Sequence, residues 1–154
     1  VNPVGKHREQ LVDKVSDARR PTARLPLICA RVSSALLVLL ALAQAALAGD
    51  FLGGQYDALM LHAIGARATT ITSAIQIVIL VWMWRTGGPR ATLPAGVVQT
   101  LLLVAEFAAG ELRMAAVHIP LGVLLTVGIV QLTTMIWRTP LPSRVGVERR
   151  SVTP

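Results

Sequence analysis

The sequence predicts an all-α membrane protein, a four-transmembrane-helix bundle built from two helical-hairpin repeats. Three observations carry this expectation. Of 154 residues, 53% are hydrophobic and only 15% charged, unlike the composition of a soluble domain. Four apolar stretches approach or exceed the roughly 20 helical residues that cross about 30 Å of hydrocarbon. The two halves of the chain also present the same motifs in the same order.

The first span, Leu27–Ala48, follows a basic tail of residues 1–26 and ends in Gln44-x-x-x-Ala48-Gly49-Asp50. A rival reading makes residues 1–48 a secretory signal, with Ala46-Leu47-Ala48 before Gly49 as the cleavage site. The apolar run is longer than such signals use, and cleavage would leave three helices and destroy the repeat, so a retained helix is the preferred reading. The second span, Leu59–Trp84, carries His62. Gly65, Thr69, Thr72 or Ser73, and Gln76 follow it at +3, +7, +10 or +11, and +14, one helical stripe. Small and polar residues on one stripe belong inside a bundle, because lipid cannot satisfy them.

The third span, Leu93–Ala109, is the shortest and ends in Glu106-x-x-Ala109-Gly110-Glu111. The fourth, Met114–Trp137, carries His118, with Gly122 and Leu125 continuing its stripe, while Gln131 falls off it. Pro120 removes a backbone N–H early in this helix. Each half thus runs helix end, short loop, histidine, glycine, and closes on Trp-Arg-Thr, at 84–86 and 137–139. The copies are imperfect: Gly49 precedes His62 by 13 residues, Gly110 precedes His118 by eight. Residues 138–154 form a polar tail.

The net charge of +7 is distributed as a membrane topology requires. Of 15 Lys and Arg, seven lie up to Arg31, two are Arg85 and Arg90, and four follow Trp137. Asp50, Asp57 and Glu111 mark the opposite loops, with Arg113 beside them. The positive-inside rule puts both termini in the cytoplasm and places Trp82, Trp84 and Trp137 at that interface. Loop placement explains the basic pI, so nucleic-acid binding is not expected. Thirteen Arg against two Lys, with abundant Ala, suggest a high-GC bacterial genome and hence a bacterial cytoplasmic membrane. The single Cys29 excludes an internal disulfide and a multi-thiolate metal site. Residues 6–20 form a short interfacial helix or a solvated basic segment.

His62 and His118 lie five residues past Asp57 and Arg113, so about 7–8 Å inside the same boundary on equivalent helices. Two imidazoles at one depth, facing each other across the bundle axis, form an axial pair for the iron of a b-type haem. Gly65 and Gly122 then give the macrocycle room, and Arg113 is the cation available to its propionates. Two plainer readings stand beside this: histidines that hydrogen-bond across helices, in a haem-free scaffold or accessory subunit of a larger membrane complex, and another metal. A zinc or di-iron site wants three or more ligands nearby, and Glu106 is the one carboxylate within a span. An iron with two axial ligands has no open position, so electron transfer or haem handling, with a redox partner, is expected rather than catalysis. Arg67 and Glu106 are the remaining buried charges and are expected to pair, each being costly alone at depth.

Over Val32–Trp137 this layout resembles one half of haem A synthase, whose two four-helix halves each carry a histidine pair. The resemblance rests on His62, His118, their glycines, and Asp57 in the loop before His62. It implies a bundle with a haem between the histidines. The second half is missing, as is the cysteine pair that some synthases have in the first outer loop. Asp57 matches the family's acidic loop residue only loosely, so the synthase activity is not implied. The layout is similar as well to actinobacterial four-helix membrane proteins of unknown function.

Overall fold

The computed structural model of the protein describes residues 24–141. The basic tail up to residue 23, the segment 6–20 and the polar tail from residue 142 lie outside the described residues. Four helices make up the fold: α1 (Arg24–Leu52), α2 (Ala58–Arg85), α3 (Thr92–Glu111) and α4 (Ala115–Trp137). Each is long and apolar enough to cross a membrane, and there is no strand among the described residues.

Three helices match the expected spans within two residues at each end. α1 runs further, through Ala46-Leu47-Ala48 and Gly49 to Leu52. A single glycine inside a helix weakens it without stopping it. What stops α1 is the pair Gly53-Gly54. The N–H groups of Gly54 and Gln55 bond back to the carbonyls of Phe51 and Asp50 at 3.0 and 2.9 Å, with Gly54 left-handed at φ 96°. This is the Schellman termination. α2 ends the same way: Gly87, at φ 90°, bonds to Trp84, and Gly88 bonds to Met83 at 2.8 Å. α3 repeats it with Arg113 in the left-handed position, at φ 56°, where glycine is usual. Short, well-terminated turns make each pair of consecutive helices antiparallel.

The helices close a ring, α1 on α2, α2 on α3, α3 on α4 and α4 on α1, and neither diagonal pair approaches closely. The core is unevenly spread along the bundle. At the end where the chain tails emerge, Leu27, Ala30, Leu80, Met83, Leu132 and Ile136 form a closed apolar cluster. Leu37, Ala41 and Ile129 continue it towards the middle. Beyond them, in the half that holds both histidines, the bundle has a half-open cavity of about 390 Å³. The outward faces are apolar, with Val32, Val78 and Val123 all more than 60% exposed, a surface suited to lipid.

Arg31 ties the ring shut at the tail end. Its guanidinium donates to the carbonyls of Trp137 and Thr139 at 3.0 and 2.7 Å and lies 5.4 Å from the Trp137 ring centroid. It therefore satisfies the last carbonyls of α4, whose negative dipole end favours a cation.

Candidate functional site

His62 sits in the second turn of α2 and His118 in the first turn of α4. α2 and α4 are diagonal across the ring, yet the two imidazoles meet over the axis, with ring centroids 6.1 Å apart and planes at 75°. Each ring is held by the helix that precedes it in the chain. His62 Nδ1 lies 3.2 Å from the Gln44 carbonyl oxygen of α1, and His118 Nδ1 lies 3.1 Å from the Glu106 carbonyl oxygen of α3. A carbonyl only accepts, so each Nδ1 carries the proton and donates. Each Nε2 is left as the atom with a free lone pair.

The side chains of Gln44 and Glu106 lie against the glycines one turn past the histidines. A Cβ placed on Gly65 would collide with the Gln44 side-chain amide, and one on Gly122 would stand 2.9 Å from Glu106 Oε1. Each glycine one turn past a histidine therefore makes room for the side chain of the residue whose carbonyl meets that histidine. Thr69 and Thr126, four residues beyond these glycines, donate to the glycine carbonyls at 2.8 and 2.9 Å. His118 has one contact that His62 lacks: Glu106 Oε1 lies 3.0 Å from its Nδ1. Gly110 supports it too, since a Cβ there would stand 3.1 Å from His118 Cε1, so the ring lies against the α3 backbone.

Both histidines, Gln44, Glu106 and Gly122 line the cavity, together with small residues of α1 such as Ala45 and Ala48. Gly65 does not line it, because Gln44 takes up its space. The interior stripe of α2 continues below as expected, with Thr69, Ser73 and Gln76 each less than 5% exposed. Ser73, rather than Thr72, is its buried member, and it shares a 2.7 Å hydrogen bond with Thr100 of α3.

One sequence expectation needs correction. Arg67 and Glu106 do not pair. Glu106 faces His118, whereas Arg67 is exposed and makes no ion pair among the described residues. At five residues past His62, Arg67 is rotated about 140° from the interior stripe, so its helix turns it outward. Arg113 is exposed in the α3–α4 turn and does not line the cavity; its backbone closes the turn. Asp57 caps the start of α2 without a side-chain hydrogen bond and is likewise outside the cavity.

Sequence reading placed Gln44 and Gly110 in the repeated motifs without giving them a part in the site. The signal was their position: a polar side chain and a glycine at the helix ends nearest the histidines. Among the described residues, no three His, Cys, Asp or Glu gather in one place. Fold and site together define a four-helix bundle, built to cross a membrane, with a histidine pair across an internal cavity. The chain matches no family profile, no curated protein and no solved structure.

Proposed function

We propose that the bundle holds one b-type haem between His62 and His118, for electron transfer or haem handling in a bacterial cytoplasmic membrane, with both termini cytoplasmic. The observation that carries this reading is the prepared histidine pair. Both Nδ1 atoms are anchored to backbone carbonyls and both Nε2 lone pairs are free, the usual preparation of a metal-ligating imidazole. His62 and His118 are the residues that would hold the iron, each offering an imidazole nitrogen. Their ring centroids stand 6.1 Å apart, so both imidazoles reach one place between the helices. The surrounding volume of about 390 Å³ and its mostly apolar walls suit a flat apolar ligand.

The residues supply different things. His62 and His118 are the ligands, and Gln44 and Glu106 fix their rings. The small residues of α1 leave the ligand room. Haem bound there would supply one-electron chemistry at the depth of the histidines. The doubled sequence Gln44–His62–Gly65–Thr69 and Glu106–His118–Gly122–Thr126, with matching contacts in each half, supports a bundle made of two hairpin repeats. The resemblance to one half of haem A synthase points the same way, but the synthase activity is not proposed, since Asp57 lies outside the cavity.

The test is titration of the purified protein with haem. One haem per chain should bind, and His62→Ala and His118→Ala should each abolish stoichiometric binding while leaving the helical content unchanged. Wild-type binding no stronger than that of the double variant would overturn the reading in favour of the haem-free accessory subunit, in which the same histidines only join helices.

A further inference from the structure

The structure leaves one charge on an otherwise apolar outward face. Arg67 lies on the outward face of α2, in a stripe with Met60, Ile64, Ile71, Ile75 and Val78, each more than half exposed. The spacing 60, 64, 67, 71, 75, 78 is one helical face, and every member but Arg67 is apolar. Arg67 is nine residues into α2, about 14 Å along a helix of roughly 42 Å. With about 30 Å of hydrocarbon centred on that helix, its backbone lies about 8 Å below the boundary. The bundle's own carboxylates do not answer it: Glu106 is turned inward to His118, and Asp50, Asp57 and Glu111 lie at the helix ends.

We infer that this stripe of α2 is the docking face for a transmembrane helix of another protein, one that carries a single Asp or Glu at the depth of Arg67. Charge complementarity selects this occupant. A carboxylate on a partner helix neutralises the guanidinium where water is absent, and the apolar residues above and below give that helix a continuous seat. A second copy of this chain does not fit, because a symmetric α2–α2 contact would set Arg67 against Arg67. The inference is independent of haem and places the bundle beside a larger membrane protein.

The test uses the full chain in phosphatidylcholine nanodiscs, with a dye at its amino terminus, and labelled polyleucine transmembrane peptides read by energy transfer. The Glu peptide, with its carboxylate at the Arg67 depth, should associate at least about tenfold more tightly than the all-Leu peptide. That gain should vanish in Arg67→Leu and return in Arg67→Lys, both of which keep the inward faces intact. Equal association of Glu and Leu peptides would overturn the inference. So would either of two other results: stabilisation by phosphatidylglycerol that disappears in Arg67→Leu, which assigns the guanidinium to headgroup phosphate, or self-association that depends on Arg67.

Discussion

At the scale of single residues, a backbone carbonyl decides what each histidine can do. Gln44 and Glu106 present theirs to Nδ1, and this fixes which nitrogen carries the proton. The sequence made the histidines visible, through their shared depth and their glycines, but not this arrangement. Helical periodicity says which side a residue faces and nothing about which carbonyl it meets. The same limit explains Arg67: two opposite charges within spans suggested a pair, although the angle from His62 already turned Arg67 outward. The corrected geometry predicts that Arg67→Leu and Glu106→Gln have additive effects on stability, within about 0.5 kcal/mol. A double-mutant cycle by chemical denaturation in detergent checks this, and a coupling of 2 kcal/mol would restore the pair. Arg113 gives a second residue-scale expectation. A non-glycine residue held left-handed carries about 1 kcal/mol of strain, so Arg113→Gly should stabilise the fold by about 0.5–1 kcal/mol. A loss of stability instead would show that the side chain supports the turn.

At the scale of elements, apolar length and turn chemistry made the helices legible. Three of the four were placed to within two residues at each end, because apolar runs and Gly-rich breaks coincide. The expected first span is shorter than α1 at both ends, since a polar Gly49-Asp50 reads as an exit while the helix continues to Leu52. Arg31 reads in the sequence only as part of the basic charge near the amino terminus, yet it closes α4 onto α1 through the carbonyls of Trp137 and Thr139. Arg31→Met should therefore lower stability by about 1–2 kcal/mol, with Arg31→Lys recovering part of it through the helix dipole. If thermal unfolding of Arg31→Met matches wild type, the clasp contributes nothing. Glycine substitutions test the seats described above. Gly65→Leu should evict Gln44 and loosen His62, and Gly122→Leu should do the same through Glu106, whereas Gln131→Leu, exposed and off the stripe, should leave haem binding unchanged.

At the scale of the whole molecule, the bundle divides into a packed half at the tail end and a hollow half around the histidines. The division follows the sequence: Leu, Met and Ile fill the first, whereas Ala, Gly and Thr line much of the second. Charge placement sets the expected orientation, with the packed half towards the cytoplasm. Cysteines introduced at Gln55 or Glu111 should react with an impermeant reagent from outside, and one at Gly88 should not; labelling at Gly88 alone would invert the topology. The central claim meets its most direct test in the visible spectrum of the protein purified after growth with added haem. Two imidazoles on one iron make it low-spin, so the reduced wild-type protein should show the sharp bands of a b-type cytochrome, and neither His62→Ala nor His118→Ala should show them. An intact, colourless wild-type protein under those conditions would contradict the account and leave the two histidines as interhelical hydrogen-bonding groups.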